Sequence, residues 1–228
     1  MKILQRTYFE SISPSKKPLL DFGVALLACV AVIGIGQLYS AGLLIPRTGY
    51  EILNQLAIWP LNNVLIFSPI FITMVIRRQD LKTIFISLND VYIKLGFGIA
   101  SALVGVVLFI ALRGEWHRFT EILTSSLQPK AISNFPAIFF ENVALALLFV
   151  RLKWAIGVKR AIGIPSILFA LAHVPGSLAE GDPWSHILTF FFLTGSLTII
   201  ILYTAYRSRD IIWLGFVHYL MDVAIKAF

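Results

Sequence analysis

Apolar residues in this chain gather into long runs, and most charged residues fall between them. A helix that crosses a bilayer needs about 20 mostly apolar residues. Seven stretches approach that length: 22–45, 56–76, 95–112, 135–152, 161–175, 187–206 and 211–226. The fifth is short and can extend back toward Trp154. The first run is longer than a secretory signal core, and no Ala-x-Ala-like site clearly follows it, so it is expected to remain as a helix. Two connectors carry a one-sided apolar pattern at helical spacing: Leu81, Ile84, Phe85, Leu88 and Tyr92, then Trp116, Phe119, Leu123 and Leu127. Each fits a helix lying at the headgroup level or one packed on the bundle. No internal repeat, low-complexity tract or soluble domain is evident, so residues 1–228 are expected to form one all-α, polytopic membrane domain.

Composition narrows the reading. Apolar and aromatic residues make up 58% of the 228 positions and charged residues 14%, against roughly 25% charged in soluble domains. A soluble core of this size could not hide so much apolar surface, and disorder needs the opposite bias. The net charge of +7 then points to positive loops at an anionic leaflet, with no nucleic-acid partner expected. The tail and the second, fourth and sixth connectors hold 14 of the 19 Lys and Arg residues, which predicts a cytoplasmic amino terminus. The single cysteine, Cys29, has no partner for an internal disulfide.

Ionisable side chains inside a span cost about 2.5–3.5 kcal/mol each on insertion scales, so their positions are informative. Only Glu141, His173, His218 and Asp222 lie well within the runs; Arg151 and Lys226 stand at run ends, where they can snorkel. Singly, each has a structural explanation: a helix–helix hydrogen bond, a charge at a helix start, or a neutralised pair one turn apart. Together, alternation of the spans puts all four in one half of the membrane, the outer half by the charge count. His218 and Asp222 share a helical face. Such a set can activate water through a Glu and a His, with a second His, oriented by the Asp, facing an oxyanion. Glu plus two His is also a zinc ligand set with an open position for water. No His-Glu-x-x-His helix is present, and Ser166 and Ser196 sit in no Gly-x-Ser-x-Gly elbow.

The segment Phe169-Ala-Leu-Ala-His173, followed about 45 residues later by His218-Tyr-Leu-Met-Asp222, resembles the second and third motifs of the CPBP intramembrane proteases. That family includes the CaaX prenyl endopeptidases and the bacteriocin self-immunity (Abi) proteins. Residues 190–203, with Thr194-Gly195-Ser196-Leu197, are similar to its penultimate helix, and the resemblance covers 135–228. The family's first motif is a Glu-Glu pair with an Arg four residues after the second Glu. Here Glu141-Asn142 stands 32 residues before His173, and Ala146 holds the Arg position. Loss of both partners of a buried ion pair strands no charge and can be nearly neutral for folding.

The resemblance implies an intramembrane endopeptidase in a prokaryotic plasma membrane, acting on a peptide or membrane protein among the lipids. In it, Glu141 and His173 activate water while His218 and Asp222 stabilise the oxyanion. An ionised Asp222 would oppose an oxyanion, so it must be protonated or act by orienting His218. Metal dependence stays open, with zinc the natural candidate. The alternatives are a non-catalytic immunity or partner-binding relative, and a transporter using Glu141, His173 and Asp222 as a proton relay. Pro60, Pro69 and Pro165 are expected to kink their helices. An outer-half site would not meet CaaX-type substrates, which are processed on the cytoplasmic side.

Overall fold

The computed structural model describes residues 17–226 apart from 41 and 47, and among them the secondary structure is entirely helical. Helix α1 is Pro18–Ser40, and α2 is Glu51–Ile66 with a π turn at Asn54–Ile58. The chain continues through α3 (Ser68–Ile76), α4 (Val91–Arg113), α5 (Phe119–Ser126) and the short α6 (Pro129–Ile132). It closes with α7 (Phe135–Ile156), α8 (Val158–Glu180), α9 (Trp184–Ser208) and α10 (Ile212–Lys226).

The protein is a multi-pass membrane helix bundle, but its spans do not count simply to seven. Among the described residues, five helices are long and apolar enough to cross a bilayer, and α2 with α3 makes a sixth span if taken as one. That pair is bent by 48° at Phe67. Pro69 sits in the first turn of α3, where its ring and missing N–H prevent α2 from running on unbroken. Pro60 similarly follows the π turn of α2, whereas α8 continues as one helix through Pro165 and Pro175.

Helix α10, expected from sequence as a full span, has 15 residues among those described. Its start is buried. Asp210 is 2% exposed and accepts hydrogen bonds from the backbone N–H groups of Ile212 (2.7 Å) and Trp213 (3.4 Å). Lys94 of α4 neutralises that carboxylate at 2.6 Å. A helix capped from inside the bundle can be shorter than its neighbours and still keep its first turn satisfied.

Helix α7 is the central element. Residues Leu145 to Val150 are all buried, so no lipid-facing stripe remains in that stretch. It packs against α1, α8 and α10, while α4 packs on α10 and α9 on α8. The α4–α10 contact is close because Gly98 faces the backbone of Trp213; a Cβ there would lie 2.7 Å from the Trp213 carbonyl oxygen. Outward, residues such as Leu27, Val75, Leu112 and Phe192 are exposed, as lipid-facing positions are.

One amphipathic connector reads differently from its pattern. Residues Leu81–Ile84 form a single 3-10 turn, capped by Asp80 and ended by Phe85 in a left-handed conformation (φ 68°). Ile84 and Phe85 are buried, with the Phe85 ring 5.9 Å from that of Phe149, so this segment plugs the bundle and is not an interfacial helix. The second connector does form a helix, α5, held to the bundle by buried Ile122 and by a hydrogen bond from the Tyr219 hydroxyl to the Ser126 carbonyl. Trp116 and Leu127 remain exposed at its ends.

Candidate functional site

A single glycine sets the depth of two candidate residues. Gly157 joins α7 to α8 with φ 81° and ψ 164°, a backbone region essentially reserved for glycine. Glu141 stands sixteen residues before it and His173 sixteen residues after it. In an antiparallel pair turning at one residue, equal counts give equal depth, here roughly 24 Å from the turn. His218 reaches the same level from α10, because its Nδ1 bonds the side chain of Asn142, the neighbour of Glu141, at 3.1 Å. His218 is only eight residues past Asp210. Asp210 therefore lies about 12 Å along α10 from His218, against roughly 24 Å from the α7–α8 turn to Glu141.

Glu141, His173, His218 and Asp222 all line one cavity of about 280 Å³. Helix α9 closes it with Phe190, Thr194 and Thr198, and Trp59 and Asn134 stand at its wall, joined by a 2.6 Å hydrogen bond from the indole. Each of the four is half-buried. The Phe169 ring is the common neighbour of both histidines, 4.6 Å from the His173 ring and 6.5 Å from that of His218. The Phe190 ring lies 5.9 Å from that of His173.

A second cavity, of about 270 Å³, meets the first at Glu141, Phe169 and His173. It runs between α1 and α8 and is otherwise almost wholly apolar, with Leu26, Cys29, Ile33, Pro165 and Leu168 in its walls. Glu141 and His173 thus line both cavities.

The imidazole partners fix the nitrogen each histidine offers. His173 Nδ1 lies 2.8 Å from the carbonyl oxygen of Phe169 one turn earlier. A carbonyl only accepts, so Nδ1 carries the proton and neutral His173 keeps its lone pair on Nε2. The Asn142 Oδ1 likewise accepts from His218 Nδ1, so orientation through Nδ1 comes from α7. The sequence motifs present Asn142 only as a lost family carboxylate and offer Asp222 as the residue that orients His218. Asn142 is 1% exposed, and a neutral amide in an apolar run gives no charge signal to find it by. Its helical neighbour Ala146 is 0% exposed within the apolar core, which leaves no space for a long cationic side chain at that position.

The zinc option fits poorly. Among the described residues, no group of three or more His, Cys, Asp and Glu side chains gathers closely enough to hold a metal ion. The chemistry available from these residues is that of a carboxylate base, two imidazoles and a second carboxyl around a small chamber. Comparison of the chain with protein-family models, with curated proteins and with solved structures finds no match.

Proposed function

We propose that this protein is an intramembrane endopeptidase, of the kind its motifs resemble in the CPBP proteases, that hydrolyses a peptide bond with water activated by Glu141 and His173. The observation that carries the reading is the meeting of the four interior ionisable side chains, from three separate helices, at one cavity. Structural hydrogen bonding alone would not require all four at one chamber, given what each costs inside a membrane.

In this reading a water sits between Glu141 and His173. Glu141 takes a proton as the water oxygen attacks the scissile carbonyl, and His173 Nε2 accepts the water's other hydrogen as a hydrogen bond. Because His218 Nδ1–H is given to Asn142, its Nε2 is the nitrogen offered to the oxyanion, and it can donate there only as imidazolium. Asp222, one turn further along α10, lines the same chamber beside that imidazolium. As the C–N bond breaks, the proton held by Glu141 passes to the leaving nitrogen. The product acid loses its own proton through His173, giving carboxylate and ammonium. The apolar cavity shared at Glu141 and His173 supplies a lipid-side approach for the substrate.

The test is a comparison of new amino termini in membranes of cells making the wild-type protein or Glu141→Gln. The amide keeps the side chain's shape and loses its basicity, so termini should disappear while the variant's thermal stability in detergent is retained. A stable Glu141→Gln protein with an unchanged set of termini would remove the hydrolase reading and favour a non-catalytic membrane role.

A further inference from the structure

We infer that Asn142 is a positioning residue that fixes the tautomer and direction of His218. This goes beyond the proposed hydrolase reading and rests on it only for the consequence to catalysis. The motif resemblance gives position 142 to a carboxylate, and the sequence presents its replacement only as the loss of one partner of an ion pair. The geometry points to a different role for the residue present.

Three observations carry it. The Asn142 side chain is 1% exposed, and its Oδ1 lies 3.1 Å from His218 Nδ1 across the α7–α10 interface. Its Nδ2 is buried and has no hydrogen-bond partner among the described residues. A buried amide with one end unsatisfied weakens a fold compared with an apolar residue of the same shape. Its neighbours along α7, Val143, Leu145 and Ala146, are buried. A side chain that costs stability and bonds one functional imidazole fits a site role better than a packing role.

The chemical consequence is definite. An amide oxygen accepts and cannot donate, so it holds the proton on Nδ1 of neutral His218 and accepts from the same nitrogen in the imidazolium that the hydrolase reading uses. It does so without a charge. A carboxylate at the same place would hold the same nitrogen but add a second negative group beside Glu141.

The experiment reads the imidazole directly. The full-length protein is labelled with ¹⁵N histidine in detergent, and the His218 signals are assigned by their loss in His218→Gln. At alkaline pH, where the ring is neutral, wild type should show the Nδ1–H tautomer. Asn142→Asp, which keeps an acceptor oxygen, should retain it. Asn142→Leu should lose the preference while melting at the same or a higher temperature. If the hydrolase reading also holds, cleavage by Asn142→Leu should fall by about 10²-fold in kcat with little change in KM, the lower end of general acid–base effects. An Nε2–H tautomer in wild type overturns the inference whether or not Asn142→Leu folds, as does an unchanged tautomer in a folded Asn142→Leu. A tautomer that responds as described, in a protein that yields no Glu141-dependent cleavage, would uphold the positioning role and reject the protease.

Discussion

Lys94 and Asp210 are the clearest case of a residue pair whose meaning lies in depth. Lys94 is 8% exposed and Asp210 2%, and their side chains meet at 2.6 Å. Lys94 also donates to the Ser87 carbonyl at 2.5 Å, while Asp210 caps α10. Removing one member strands the other charge, which for buried pairs costs about 3–5 kcal/mol. Lys94→Met should therefore destabilise by that order in a detergent unfolding experiment. Lys94→Met with Asp210→Asn should recover much of the loss, because asparagine still caps the helix without a charge. A Lys94→Met protein within about 0.5 kcal/mol of wild type would show that the pair does not hold α4 to α10. At this scale the four interior ionisable residues were legible in the sequence, because a charge in an apolar run stands out. The bond from His218 to Asn142 and the place of the Phe169 ring between the two histidines were not, since an amide and a ring carry no charge to mark such a role. The Lys94–Asp210 pair was hidden because each residue reads as an ordinary connector charge until α10 is seen to start inside the bundle.

Helix positions followed well from the apolar runs, since exclusion of charge over about 20 residues is a strong physical constraint. What the runs could not show was how each helix begins and bends. The break at Phe67 depends on Pro69, the plug at Leu81–Ile84 on the turn at Phe85, and the short α10 on its buried cap. Helix contacts depend on small residues in the same way. Gly98→Ala would gain about 1 kcal/mol of helix propensity in an isolated helix. In the bundle, its Cβ would stand 2.7 Å from the Trp213 carbonyl oxygen and 2.9 Å from the Trp213 Cα, both backbone atoms that cannot swing aside. Overpacking of that kind costs about 1–3 kcal/mol, so the clash should win and the variant should melt lower than wild type. Equal or higher stability of Gly98→Ala would mean that α4 and α10 are further apart. Since α10 carries His218 and Asp222, the same contact sets how those residues meet α7.

At the scale of the whole molecule, the helices sort their ends into two sets with different chemistry. Asp21, Arg77, Gln79 and Arg151 form one network that ties the start of α1 to the ends of α3 and α7. This is the end richer in Lys and Arg, as the uneven charge of the connectors led one to expect. The chamber with Glu141 and the two histidines lies toward the opposite end, near the Trp59–Asn134 contact. Any chemistry of this chamber depends on α7, α8 and α10 bringing those side chains to one space. The most direct measurement is a cross-link between positions 173 and 218. In a Cys29→Ala background, His173→Cys with His218→Cys should be bridged by a short bifunctional thiol reagent, since both positions lie against the same Phe169 ring. The bridged product should be intramolecular and should not form from either single cysteine. If each cysteine reacts with a monofunctional reagent but no bridge forms, the two residues do not share a chamber and the four-residue site does not exist.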